Sequence, residues 1–267
     1  RVYDGSFQSR YRVGPLGRGW SHNWEYKAET LANGNVVLRG PAGVDRYFVK
    51  SGTTYTGLPG DFGVLTLAGD KYTLTEKNGV LWQFLANGYL DYLQDTNGNR
   101  ITCGYPEGLT SLTSLTHSNG SQITIEYHAT GRIKKVADLN GTGTEDDRFT
   151  TFTYDGTAEH LLSGTTQDGR TTEYTYETAG NAVTLHALLT TAYPDGKHAF
   201  FEYDASGRLL QTHADDNALP VTYAYGPERG AVLVTNAAGV STRMKRGVTG
   251  QWTQVADGAT GTALRMA

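Results

Sequence analysis

A single cysteine, Cys103, stands in the 267 residues of this chain, so no internal disulfide braces the fold. No run of 18 apolar residues occurs, which excludes a transmembrane helix. Charge of either sign is sparse. Lys and Arg number 23 against 27 Asp and Glu, for a net charge of -4 and a sequence pI near 6.0. That balance has neither the basic stripe of a nucleic-acid binder nor the charge run of an acidic tail. Sustained helical periodicity is missing too, and 34 glycines punctuate the chain almost continuously. No P-loop, dinucleotide glycine motif, Gly-x-Ser-x-Gly elbow, His-Glu-x-x-His run or metal-spaced Cys/His pair is found. The expected lists of catalytic, cofactor-binding and metal-binding residues are therefore empty, and no cofactor is expected. A signal-peptide pattern is also lacking and the first residue is Arg1. The chain is read as a segment of a longer polypeptide.

What is abundant is tyrosine, 17 copies against 8 Phe and 4 Trp, and it recurs in order. Phe84, Tyr105, Tyr127, Tyr154, Tyr176, Tyr203 and Tyr225 each close a near-identical segment, at spacings of 21, 22, 27, 22, 27 and 22 residues. The residues two and four places before each one are mostly apolar, as in Ile123/Ile125, Thr150/Phe152 and Val221/Tyr223. Those between are mostly polar, such as Thr124, Glu126, Thr153 and Thr175. Alternation of that kind is the period of a half-buried strand, and self-similarity near 22 residues marks a repeat array. Repeat arrays build extended surfaces or containers more often than one compact active site.

Asx-Gly pairs separate the strands: Asn78-Gly79, Asn87-Gly88, Asn97-Gly98, Asn119-Gly120, Asn140-Gly141, Asp168-Gly169 and Asp195-Gly196. Such pairs supply the positive φ of tight hairpin turns. Each repeat reads as two strands, one opening on a Gly-x-Leu step and one closing on the aromatic. The two long spacings place five extra residues near 140–147 and near 181–189, expected to be loop insertions. Residues 1–75 break the period while staying β-rich, and they read as an irregular cap; 76–235 form the array, and 236–267 a tail or partial repeat. The expected architecture is all-β, a curved, spiralling antiparallel sheet of hairpins. An open edge is expected near 232–235 unless the tail blunts it.

Tyr203-Asp204-Ala-Ser-Gly207-Arg208-Leu209-Leu210 resembles the signature of the YD-repeat, or RHS-repeat, family, and Tyr127-His128-Ala-Thr-Gly131-Arg132-Ile133 is a second copy. Tyr154-Asp155-Gly156 and Tyr176-Glu177-Thr-Ala-Gly180-Asn181 are degenerate copies. The stretch 10–25, with Gly14, Gly17, Gly19 and Trp20, looks like the region that precedes the repeats in RHS proteins, and 95–102 like the segment that opens their array. The resemblance implies a spiralling β-shell. In bacterial RHS toxins and Tc-toxin B and C components it encloses a toxin domain, and in teneurins it sits in an extracellular adhesion protein. It further implies a secreted or cell-surface location, and the remainder of a parent polypeptide or its cargo as partner. The aspartate-rich C-terminal core motif with which bacterial members release cargo is absent here, so autoproteolysis and toxicity are not carried over.

The aromatic stripe has two readings. One is structural, a ladder of cross-strand aromatic pairs; the other is a sugar-stacking platform or a Tyr/His/Arg lyase site. Even spacing favours the ladder. Cys103, in an inward position, is expected to be a buried, inert thiol. His22, His117, His128, His160, His186, His198 and His213 are scattered and expected in turns or on the surface. Residues 138–147 partly mimic a calcium loop, with Asp138, Asn140 and Thr142 alternating as donors, but Phe149 stands where the closing Glu belongs. Arg18, Trp20 and Trp24 are expected to be structural, the tryptophans plugging the sheet's end. The reading is a non-catalytic segment of an RHS-like shell that encloses or scaffolds a larger polypeptide, with no enzymatic activity of its own. A carbohydrate-binding surface module, with a glycan as partner, and a β-rich polysaccharide lyase or hydrolase remain open alternatives.

Overall fold

The structure, a computed structural model, describes residues 1–139, 148–247 and 252–266. Its regular structure is almost entirely antiparallel strand, as the alternation and turn chemistry require. Helical structure among the described residues is limited to the turn Phe7–Arg10 and two 3₁₀ turns, Pro41–Gly43 and Asp215–Asn217. The chain divides into two compact units, Arg1–Val2 with His22–Thr151, and Tyr3–Ser21 with Phe152–Ala267.

In the first unit each strand pairs with its sequence neighbours, from Lys27–Thr30 to Ile133–Leu139. The break expected at residue 75 lies inside that meander, because Thr73 pairs with Gln83 and Thr75 with Leu81. The strands before it are as regular as those after. Their inward residues Val36, Phe48, Leu65 and Leu74 are almost fully buried, as are Phe84, Leu90 and Ile133 of the repeats. Apolar burial, alternating in most strands and continuous over Val36–Leu38, holds these hairpins together, since an isolated hairpin is marginal in water.

The second unit continues the same pattern from Leu161–Thr166 to Ala263–Met266. Residues 231–235, where an open edge was expected, pair over five positions with Ser241–Arg246. That strand pairs in turn with Trp252–Asp257. The tail therefore completes further hairpins, and Glu228 pairs with both Arg243 and Lys245. The insertion expected near 140–147, with most of the calcium-like loop, lies outside the described residues. Asp138, its first candidate donor, is engaged 2.9 Å from Arg148.

The Asx-Gly turns share one geometry. Gly79, Gly88, Gly98, Gly120, Gly169 and Gly196 all have φ between 80° and 95°, whereas none of the Asn or Asp residues before them does. Only the glycine is left-handed, which is a type I turn followed by a bulged glycine rather than a two-residue mirror-image turn. The Asx side chain accepts the N–H two residues on, as Asn78 does from Val80 and Asp195 from Lys197.

Candidate functional site

The repeat signature is a set of hydrogen bonds. Asp204 Oδ1 accepts the N–H groups of Ser206 and Arg208, and its Oδ2 accepts Arg208 Nε at 2.8 Å. Arg208 in turn lies over the Tyr225 ring of the next strand, 4.3 Å from its centroid. In this copy the Asp shapes the turn, and the Arg neutralises the Asp and covers the following aromatic.

The aromatics make one bond repeatedly. The hydroxyls of Tyr105, Tyr127, Tyr176 and Tyr203 donate to the carbonyls of Leu90, Leu112, Leu161 and Leu188, each 15 residues earlier, at 2.8–2.9 Å. Tyr225 does the same to Leu209, 16 residues earlier. Each hydroxyl closes the open end of its own hairpin, where the ladder runs out of partners. A β-bulge precedes Phe84, Tyr127, Tyr176 and Tyr203, and their partners across the strand are Leu90, Ile133, Leu188 and Leu209. The expected ladder of aromatic pairs is thus replaced by aromatic–aliphatic pairs with a backbone staple. Tyr154, at the end of the strand Arg148–Tyr154, is half-buried. The stripe converges on no cleft. Burial raises the Tyr127 and Tyr203 hydroxyls to about 12 and pushes Tyr105 and Tyr176 higher still. These are permanent donors, the opposite of what a tyrosine base needs at neutral pH.

The richest polar constellation is in the second unit, where residues 3–21 pack on the turns of three repeats. Arg10 is fully buried. Its Nη2 donates to the carbonyls of Val183 at 2.7 Å and Gly207 at 3.0 Å, its guanidinium lies over Tyr203, and its Nε and Nη1 make no hydrogen bond. Tyr3 donates to the His186 carbonyl and accepts the Leu188 N–H. Tyr11 donates to the Ala182 carbonyl at 2.6 Å. Arg18 pairs with Glu159 at 2.8 Å, and Trp20 Nε1 donates to the Tyr176 hydroxyl at 2.7 Å. Trp20 is buried against Tyr174, while Trp24, in the first unit, is only half-buried.

Beneath that segment Asp155, His160 and His186 form a hydrogen-bonded chain. Asp155 Oδ2 lies 2.7 Å from His160 Nδ1, and His160 Nε2 lies 2.9 Å from His186 Nδ1. His160 stands in the bend before Leu161–Thr166 and is buried there, at 6% exposed. The sequence carried a signal for it. Tyr154-Asp155 is a degenerate signature, and His160 takes the place of the arginine, one residue late. Burial disfavours the charged Asp155, but the hydrogen bonds from His160, the Glu159 N–H and Thr157 outweigh it and bring its carboxyl down to about 2. Arg10 and Tyr3 were missed outright, because their partners are backbone carbonyls, which no side-chain pattern announces.

His22 of the first unit, just before the turn at Asn23–Trp24, is half-buried. Burial pulls it down to about 4, although Glu25 lies 3.5 Å from Nε2. An imidazole held neutral in the folded state stabilises fully above its unfolded value of 6.5 and progressively less as pH falls towards 4. At about 1.36 kcal/mol per pH decade the loss is at most about 3 kcal/mol. His22→Gln should flatten the pH dependence of the first unit's urea midpoint between pH 6.5 and 4. A slope unchanged by the substitution would show that another group carries it.

Cys103 is 6% exposed, and burial pushes its thiol up to about 12, an inert state. No group of three metal-ligating side chains converges among the described residues. A groove of about 880 Å³ in the second unit is lined by Tyr193, Lys197, Phe201, Thr212, Leu219 and Tyr223 among others. Its rim histidines are already engaged, His198 with Asp215 at 2.8 Å and His213 with Glu202 at 3.3 Å. No helix among the described residues is long and apolar enough to cross a membrane.

No protein-family profile matches the chain. A curated relative, the probable deoxyribonuclease RhsB of Dickeya dadantii, is 26% identical over 257 residues, covering 87% of this chain and 16% of the relative. The chain therefore spans about one sixth of that protein's length. Among solved structures, TcdB2-TccC3 without its hypervariable C-terminal region aligns over 90% of this chain and 17% of its own, at 12% identity and a TM-score of 0.32. The Photorhabdus luminescens Tc holotoxin pore aligns over 84% and 17%, at 12% identity and a TM-score of 0.30. Superpositions that loose carry no argument by themselves. The weight rests on the hydrogen-bonded Tyr-Asp-x-x-Gly-Arg unit and on the sequence relative, and in both respects the chain resembles the RHS/YD-repeat family.

Proposed function

We propose that this chain is a non-catalytic structural segment of an RHS-like shell, secreted or displayed at a cell surface, that encloses or scaffolds a larger polypeptide. The observation that carries the reading is the recurring staple from tyrosine hydroxyl to leucine carbonyl. It places the tyrosine hydroxyls of five repeats in the service of hairpin closure. The Asp and Arg of the signature are likewise bonded to each other and to the turn. What remains is an antiparallel ladder whose backbone groups are satisfied strand by strand, a wall with few openings for proteases. The mechanism is steric, and the partner is the rest of the parent polypeptide or its cargo.

The test has two arms. Full-length polypeptide carrying this segment is digested with trypsin, beside a variant with Tyr176→Ala and Tyr203→Ala. The wall reading expects the enclosed portion to be protected in the parent and cut in the variant. In parallel the 267-residue chain is incubated with neutral and acidic polysaccharides and with DNA, following reducing ends, unsaturated products and strand breaks. Turnover that disappears on substituting one Tyr, His or Arg would overturn the reading in favour of a lyase, hydrolase or nuclease. Saturable glycan binding without turnover would favour the surface-module alternative.

A further inference from the structure

We propose that the Asp155–His160–His186 chain is a proton-operated latch that holds residues 3–21 on the second unit and lets them go on acidification. In the Asp204 turn the left-handed position is Gly207, whose N–H donates to the Asp204 carbonyl. In the long turn created by the insertion at 181–189, the corresponding N–H, to the Glu177 carbonyl, belongs to His186. His186 has φ 65°. A histidine in a conformation that suits glycine is strained, and such positions persist where the surroundings impose them. Here the surroundings are the segment itself. Its tyrosines hold the turn from both sides, through Tyr3 to the His186 carbonyl and Leu188 N–H and Tyr11 to the Ala182 carbonyl. The Tyr11 ring also stands edge-on to the imidazole at 5.2 Å, and Arg10 grips Val183.

The proton count follows from the donors. A carboxylate only accepts, so His160 Nδ1 carries a proton towards Asp155. The Nε2 of a neutral His160 is then an acceptor, and His186 Nδ1–H must donate to it. One further proton adds at His186 Nε2, and both ring–ring and ring–carboxylate bonds survive, with the charge shared along the chain towards Asp155. A second added proton leaves two N–H groups facing each other across 2.9 Å with no acceptor between them. The surrounding charges oppose it. Around His160 are Asp155, His186 and the Tyr176 ring. Around His186 are Arg18, Glu159 and Arg10, and Glu159 is already committed to Arg18 while Arg10 has no carboxylate partner. Burial, and after it the charge of Arg18, accordingly holds His186 below its ordinary value. Sign and window agree. The first proton, at His186, is disfavoured in the docked state, so docking weakens as pH falls below about 6.5, and the second proton, which sets the two N–H groups face to face, completes the release.

Hydrogen exchange of the 267-residue chain tests this, read on peptides from residues 3–21 and corrected for intrinsic exchange. Between pH 7.5 and 5.0 protection of the segment is expected to fall at least tenfold. His186→Asn, which tolerates the left-handed backbone but does not titrate, should remove that pH dependence. His22 belongs to the other unit, so its titration does not enter this readout. Should His186→Asn fail to dock at any pH, nitrogen-detected NMR of the wild-type histidines decides instead. Two coupled steps for His160 and His186, with line broadening of residues 3–21 at the second, support the latch. Independent titration of both near 6.5, or a segment equally protected at both pH values, overturns it.

Discussion

Tyr176→Ala should unfold the second unit at markedly lower urea, with a stability loss of about 4–6 kcal/mol. Two effects add. Removing a large buried aromatic costs about 3–5 kcal/mol through lost transfer energy and the cavity left behind, and Tyr176 is 8% exposed, with the His160 ring at 4.8 Å. Its hydroxyl also donates to the Leu161 carbonyl and accepts from Trp20 Nε1. Deleting it strands a buried indole N–H, a penalty of about 1–3 kcal/mol that the neighbours relieve only partly. Tyr176→Phe separates the two effects, since it keeps the ring and loses both bonds, for an expected loss of about 2 kcal/mol. Thr175→Ala, next in the chain but on the other face, loses only an exposed hydroxyl pair with Thr190 at 2.6 Å. That change is expected below about 1 kcal/mol. Midpoints read by tryptophan fluorescence should rank Tyr176→Ala lowest, then Tyr176→Phe, then Thr175→Ala. If Tyr176→Ala and Thr175→Ala melt together, the staple is not what holds the hairpin.

The array was legible because every repeat imposes the same demand on its sequence. Strand alternation, an Asx before a left-handed glycine and a closing aromatic are local requirements, and they recur whether or not the neighbouring repeat is known. The strand Gln122–Tyr127 and its turn at Asn119-Gly120 follow from such local terms alone. What the aromatic does was not legible. A tyrosine on a strand reads equally well as a stacking partner, and only the bulge before Tyr127 or Tyr203 decides that an aliphatic residue stands opposite. The regularity of the first strands was hidden for a different reason. Val36, Val37 and Leu38 are all buried, so that strand shows no alternation to read. The packing of residues 3–21 was least legible. Arg10 reaches carbonyls 173 and 197 residues away, and a carbonyl is available at every position of every sequence. The one clue was indirect: an insertion lengthens a turn without disturbing the tyrosine register, and residues 182, 183 and 186 of that turn are what the segment holds.

Gly207→Ala should be far more damaging than Gly131→Ala, although the two glycines occupy the same place in two copies of the signature. Both are left-handed, with φ of 73° and 77°, so both substitutions force alanine into a conformation disfavoured by about 1–2 kcal/mol. There the likeness ends. A Cβ on Gly131 would meet nothing within 4 Å, and the loss should stop at about 1 kcal/mol. A Cβ on Gly207 would overlap the Val183 carbonyl oxygen and stand 2.9 Å from Arg10 Nη2. Both groups are backbone-held or buried, so neither yields by a simple rotamer change. Moving Val183 loosens the insertion turn, and moving Gly207 withdraws the second carbonyl from Arg10. Either way a fully buried guanidinium loses acceptors it has no means of replacing, a loss of about 1.5–3 kcal/mol for a charged donor. The combined effect is expected to exceed about 3 kcal/mol, and it should appear first as detachment of residues 3–21 rather than as unfolding of the sheet. Trypsin then reads it directly, because Arg10, Arg12 and Arg18 all lie in that segment. Gly207→Ala should be cut there within minutes under conditions where wild type and Gly131→Ala resist. Equal resistance of the two alanine variants would mean that the contact of Gly207 with Val183 is too loose to anchor the segment, and that Arg10 is held by something other than these two carbonyls.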